Sequence, residues 1–266
     1  MLRPLARCVH RDLYLVYIGV KQRLFYGSAT VISLVTNIFF VALQYYLWRA
    51  IYSTNDIAAI RFEATFSYLV VTQIIASVYP TSAGNYVGEE MRSGDIVMLL
   101  IRPMTIFRRV LLNYLGGACF RIIVVALPTL FFSALFFGVN FYWANFMPFL
   151  VVFILAYIQY FIFEMIIGCI SFYTKSIWGI QNLKYALFLV LTARAIPLAL
   201  YPPTLRNIVL FLPFSNMFAL VANVLSGEEF LNIGHILDLG FTIIIAYGIY
   251  LGVMWLSRRH IAIQGG

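Results

Sequence analysis

The chain has 266 residues, of which 63% are hydrophobic and 11% charged, where a soluble domain has roughly 45–50% and about 25%. No single globular core hides that apolar excess. A spanning helix uses roughly 20 apolar residues, so the length predicts one membrane domain of about six crossings. The formal net charge of +8 is scattered at the ends of apolar runs, which excludes a nucleic-acid partner and points to lipid headgroups and orientation signals.

Residues 1–27 carry Arg3, Arg7, Arg11, Lys21 and Arg23, while Leu5, Val9, Leu13, Val16, Val20 and Leu24 recur at helical spacing. A basic amphipathic helix of this kind lies in the membrane interface. The first uncharged run starts only after Arg23 and no small-residue cleavage site follows it closely, so no cleavable signal peptide is expected. Residues 29–48 are uncharged and end in Tyr45, Tyr46 and Trp48, a first span with an interfacial aromatic belt. Residues 64–88 supply the second span, ending near residues 80–84. The stretch 89–109 is the most polar of the chain. Residues 110–164 contain only Arg121 and Glu164 as charges and are too long for one span, so the turn at 138–145 (GVNFYWAN) separates the third from the fourth.

Residues 171–184, with Lys175 and Lys184, read as a polar connection, and the fifth span as residues 185–200, interrupted by Arg194 and Pro197. Residues 239–257 form a sixth span closed by Arg258, Arg259 and His260. The segment 202–234 is apolar but broken by Pro213, Asn216 and Asn223; it is expected to dip into the outer leaflet as paired short helices and return. Six spans with both termini in the cytoplasm place thirteen of the 18 Lys and Arg inside, as the positive-inside rule requires. A seventh span would put one terminal cluster outside.

Several chemistries are absent from the sequence. The phosphate-binding loop of ATPases needs Lys after Gly, but Lys21, Lys175 and Lys184 follow Val20, Thr174 and Leu183. The string 225–229 (LSGEE) faintly echoes an ATPase signature and is expected to be an outer turn. There is no His-Glu-x-x-His, residues 168–171 (GCIS) lack the Gly that an intramembrane serine protease needs after its Ser, and the Glu89-Glu90 pair has the wrong spacing to its Arg. His10, His235 and His260 are far apart, and Cys8, Cys119 and Cys169 show neither a disulfide framework nor metal spacing. The chain is therefore not expected to be an enzyme or to hold a cofactor or metal.

The most informative stretch is 88–109. Gly94-Asp95 reads as a helix stop followed by an N-cap. Glu89, Glu90 and Arg92 precede it, Ile96, Leu99 and Leu100 form an apolar stripe, and Arg102-Pro103 ends it. Such a short charged and apolar helix suits docking into a partner's cleft. With this loop after span two, the chain resembles ATP-binding-cassette exporter permeases of the type-2 class. More narrowly it resembles their six-span branch with a loop of the form Gly-x-hydrophobic…Leu-x-Arg-Pro, here 93–96 (SGDI) and 100–103 (LIRP). The resemblance covers essentially the whole chain. It implies a coupling helix in the loop 85–106, with Glu89, Glu90, Arg92, Asp95, Ile96, Leu99, Leu100 and Arg102 contacting the ATPase. It also implies two permease subunits, identical or paralogous, and two ATPase subunits that carry the ATP and Mg²⁺.

Within the spans, Arg121, Glu164 and Arg194 are functional candidates because charge there is costly. At 1.5 Å per residue, Arg121 lies roughly 18 Å above Arg109, and the three sit at comparable depth. Glu164 is expected to pair with Arg121 or Arg194, either fixing helix register or lining a substrate path.

The expectation is thus an all-α, polytopic permease of one domain over 1–266, in a bacterial inner membrane with lipids around it. It moves an amphipathic or hydrophobic substrate (drug, lipid or peptide) out of the cell, driven by a separate ATPase. The alternatives are a stand-alone secondary transporter, disfavoured by the lack of an internal repeat, and an intramembrane enzyme.

Overall fold

The computed structural model describes residues 2–54, 60–101, 104–139, 141–170, 173 and 177–264, with backbone alone at 2–8, 100 and 258–264. Every regular element among them is helical. In chain order these are α1 (Leu2–Phe25), α2 (Gly27–Thr54), α3 (Phe62–Val78), α4 (Ala83–Ser93), α5 (Ile96–Leu100) and α6 (Ile106–Arg121). A π-turn (Ile122–Ala126) leads into α7 (Leu127–Phe137). Then follow α8 (Phe146–Ile170), α9 (Ile177–Leu191), α10 (Pro203–Phe211), α11 (Ala219–Ser226) and α12 (Ile233–Gln264). Five helical segments among the described residues are long and apolar enough to cross a membrane: Gly27–Thr54, Phe62–Ser93, Ile106–Phe137, Trp143–Ile170 and Ile233–Ser257.

Local chemistry explains the breaks. Tyr79 precedes Pro80, whose ring drives the preceding residue out of the helical region; Tyr79 has ψ 151°, and α3 stops there before the chain resumes as α4. The π-turn stands just before Pro128, which cannot donate to the carbonyl four residues back. Gly138 ends α7 with φ 65° and opens the turn expected at 138–145.

Two spans differ from the sequence reading. The second does bend near residue 80, but helix continues to Ser93, so Glu89, Glu90 and Arg92 stand on α4 rather than in a loop. The fifth apolar helix is Ile177–Leu191, which starts eight residues earlier than residue 185 and stops before Arg194. Lys184 stands within this helix, where a buried carboxylate neutralises it inside the fold. At 15 residues this helix spans only about 22 Å. The chain then turns at Ala193, with φ 53°. The carbonyls that leave the helical pattern at that turn are met by α3: the Tyr68 hydroxyl donates to Ala193 O at 2.6 Å and Thr72 Oγ1 to Arg194 O at 3.1 Å.

The helix α8 forms the centre, packed by α12, α4 and α11. The connection between the short helices α10 and α11 is held by the long helices: Gln159 Nε2 donates to Pro213 O at 2.9 Å and the Tyr79 hydroxyl to Met217 O at 2.7 Å. The end of α11 lies against the turn after α7, with Tyr142 N donating to Leu225 O at 3.1 Å and Asn145 Nδ2 to Val224 O at 3.0 Å. Gly227 closes α11 with φ 81°, so the 225–229 string is a turn.

The N-terminal helix α1 lies along α6 through two glycines: a Cβ on Gly116 would fall 2.0 Å from Val16 O, and one on Gly19 2.1 Å from Asn113 O. Val9, Leu13 and Leu24 of the apolar stripe face outward. Of the aromatics ending the first span, Tyr46 is exposed. Trp48 is buried in the core, and Tyr45 stacks among Phe62, Phe66 and Phe137, so the three do not form one belt.

Candidate functional site

The α4–α5 corner is built by glycine. Gly94 takes the left-handed conformation at φ 82°, which a β-carbon would strain, and turns the chain between the helices. Asp95 stands at the N-terminus of α5 but does not cap it. Its carboxylate instead accepts from Ser93 Oγ at 2.8 Å, and its carbonyl accepts from Met98 N at 2.9 Å. Glu89, Arg92 and Asp95 are exposed, and Glu90 is half-buried.

The apolar residues of α5 split between two faces. Ile96 (0% exposed) and Leu99 (7%) pack into the protein's own core with Met91, Ile106 and Val110. They are therefore not free to fill a partner's cleft: the five-residue helix uses them to anchor itself. The outward face carries Val97 (43% exposed), Met98 (67%) and Ile101 (74%). The sequence reading missed these three. At this length the helical period supplies two apolar faces and gives no sign of which is inside. Arg102 lies outside the described residues, as does the side chain of Leu100.

The charges within the spans are arranged differently from the expectation. Glu164 pairs with Lys184, not with either arginine, and their side chains are 1% and 2% exposed. The ammonium also donates to Gln181 Oε1 at 2.5 Å and to Thr81 O at 3.5 Å, which uses its three protons. The second carboxylate oxygen of Glu164 accepts from Gly84 N at 3.0 Å, in the first turn of α4, where the helix dipole favours negative charge. Gly84 has no room for a side chain: a Cβ would fall 2.7 Å from Gln181 Nε2 and 2.8 Å from Glu164 O. Gln181 Nε2 has no hydrogen-bond partner among the described residues. Four segments thus meet on one ion pair: α8, α9, α4 and the Thr81 turn. Lys184 was missed because a lone lysine at the edge of an apolar run reads as a membrane boundary, and its partner is 20 positions away.

Arg121 and Arg194 each serve backbone or side-chain oxygens instead. Arg121 Nη1 donates to Ser77 O at 3.2 Å and Tyr79 O at 3.5 Å, closing the broken end of α3. Arg194 Nη2 reaches Gln73 Oε1 at 3.4 Å, Gln73 Nε2 donates to Asn37 Oδ1 at 3.0 Å, and the guanidinium lies 5.8 Å from the centre of the Phe218 ring. Among the described residues no three His, Cys, Asp or Glu side chains are grouped to hold a metal ion.

No curated protein matches the chain. The family model described as ABC-2 family transporter protein matches residues 31–259, which takes in every described element from within α2 to within α12. A multi-pass chain with five long apolar helical segments, matched over that length, belongs to the ABC-2 transporter family and is a membrane permease of an ABC transporter.

Proposed function

We propose that this chain is the permease subunit of an exporter energised through α5 by a separate ATP-binding-cassette subunit, which supplies the ATP and Mg²⁺. The observation that carries this reading is the outward face of α5. Val97, Met98 and Ile101 form an exposed apolar patch, preceded in the chain by the exposed charges Glu89, Arg92 and Asp95. On a long apolar helix, exposed apolar side chains are solvated by lipid. Here a short helix among charged neighbours presents them, which is how a protein contact is built: a few apolar anchors inside a polar rim. Ile96 and Leu99 tie the same helix to the core around α4 and α8, so a push on the outer face is transmitted inward.

In this reading the chain is one domain with six crossings in a bacterial inner membrane and both termini in the cytoplasm. The fifth crossing is composite: α9, then the irregular turn at Ala193 covered by Tyr68 and Thr72. Backbone outside a helix is tolerated at such depth only under protein cover. The segment of α10 and α11 re-enters from the outer side. With Lys184 removed from the cytoplasmic tally, twelve of the 18 Lys and Arg remain inside, and the bias persists. A second permease copy or paralogue completes the pathway, and the cargo is amphipathic or hydrophobic.

The test is Met98→Asp, which places a charge on the outer face without disturbing the core. The variant is expected to insert normally, to lose copurification of the ATPase subunit, and to lose transport-linked hydrolysis. Full copurification and coupling would overturn the docking role of α5. Orientation is tested separately: a thiol label at Ser93 should react only from the cytoplasm and one at Ser226 only from outside, and the reverse pattern would invert the topology.

A further inference from the structure

Where α1 lies along the first turns of α6, a cleft of about 390 Å³ remains open between them and α4. Its polar lining is Gln22, Arg23, Tyr26, Tyr86, Arg109, Asn113 and Tyr114, and no acidic residue lines it. The volume is at the lower end of small-molecule sites.

The arginines of this region fall into two kinds. Arg108, next in sequence to Arg109, is bound to Asp12 across the helix pair. Arg121, higher on α6, is held by the Ser77 and Tyr79 carbonyls. Among the described residues, Arg23 and Arg109 have no ion-pair partner. Arg23 lies 6.0 Å from the centre of the Tyr114 ring, and Arg109 faces Tyr86, whose hydroxyl is engaged by Glu90 of its own helix. Asn113 Nδ2 donates to Gln22 Oε1 at 3.1 Å, which closes one wall and leaves the Gln22 amide hydrogens to face a ligand. Two cations and the Gln22 amide therefore line one half-buried space that has no carboxylate in its lining.

That donor set fits a group with several anionic oxygens, because guanidinium forks match a phosphate. The remaining walls, Leu15, Ile18 and Val110, are apolar, and at the corner between α1 and α2 Leu24 and Phe25 are exposed. A ligand with a phosphate head and hydrocarbon tails satisfies both halves of the site. We propose that this cleft holds the phosphate head of an anionic phospholipid, with the acyl chains leaving past Leu24 and Phe25 into the bilayer. The leaflet is the cytoplasmic one under the orientation proposed above; the site itself does not depend on that orientation or on the ATPase. Basic pockets beside spanning helices are the usual seats of such headgroups.

The test is equilibrium binding of tail-labelled dioleoylphosphatidylglycerol to the purified permease in neutral detergent micelles. Unlabelled dioleoylphosphatidylglycerol, dioleoylphosphatidylcholine and inorganic phosphate serve as competitors. Phosphatidylglycerol is expected to compete at least about tenfold better than phosphatidylcholine, with millimolar inorganic phosphate without effect. Arg23→Gln and Arg109→Gln are each expected to weaken phosphatidylglycerol binding about tenfold or more, the loss of one charge-assisted contact. Arg23 packs beside Gly117, so if Arg23→Gln does not fold, Arg109→Gln at the half-exposed rim decides alone. Unchanged phosphatidylglycerol binding in the folded variants overturns the site. Competition by inorganic phosphate equal to that of the lipid overturns the lipid and assigns the cleft to a soluble phosphate compound.

Discussion

Glu164 and Lys184 meet where α8, α9 and the start of α4 converge, with both carboxylate oxygens and all three ammonium protons engaged inside the protein. On α5 the arrangement is the reverse: Val97, Met98 and Ile101 point outward and contribute nothing to the fold's own core. The two charged groups satisfy each other and their neighbours, and among the described residues only the Gln181 amide beside them keeps a free donor. The outward residues of the short helix gain only by meeting something else. In this chain the charges within the spans are bound to the protein's own groups, and exposed apolar side chains are the candidates for contact. A buried pair adds little net stability over an apolar replacement, yet breaking one partner strands the other, and that asymmetry separates the two regions experimentally.

The largest expected effect is on the buried pair. Glu164→Ala leaves the Lys184 ammonium buried without its counter-charge and is expected to lower stability by about 3–5 kcal/mol. Thermal unfolding in detergent reads this, and removing both charges with Glu164→Gln/Lys184→Gln should recover much of it. An unshifted unfolding temperature for Glu164→Ala would mean that the pair does not hold α8, α9 and α4 together. Next comes the inward face of α5: Leu99→Ala empties core space beside Met91 and Ile106, at about 2–5 kcal/mol. Gly84→Ala forces a Cβ to within 2.8 Å of the Glu164 carbonyl and should cost about 1–3 kcal/mol, read by the same unfolding curve. Smallest is Met98→Asp, within about 0.5 kcal/mol as for a surface site. If Met98→Asp destabilised the isolated permease as much as Leu99→Ala, the two faces of α5 would not be distinct.

The legible part of this fold is what hydropathy and backbone-special residues encode. Uncharged runs place α2, α7, α8 and α12. Gly94 and Gly138 mark real turns because only glycine takes φ of 82° and 65° there without strain. The breaks at Pro213 and Asn216 fall in the connection between α10 and α11. What stayed hidden depends on a partner distant in sequence. A lysine beside an apolar run signals a boundary unless a carboxylate neutralises it, and Glu164 lies on another helix, so residues 177–184 read as connection rather than helix. Likewise, Ile96-Val97-Met98-Leu99 is continuously apolar. Which pair faces inward is set by Met91, Ile106 and Val110, and no local periodicity reports it. Trp48 shows the same limit: an aromatic at the end of a span suits an interfacial belt or a core, and its neighbours Tyr68 and Leu69 decide for the core.

The central claim, that the ATPase subunit docks on the outward face of α5, is tested most directly by photo-crosslinking in native membranes. A photoreactive side chain at Met98 is compared with one at Ile123, which is equally exposed at 65% but lies within the long apolar segment Ile106–Phe137. The account predicts an adduct between the permease and its co-expressed ATP-binding-cassette subunit from position 98 and none from position 123. No adduct from position 98, or equal adducts from both, would contradict it.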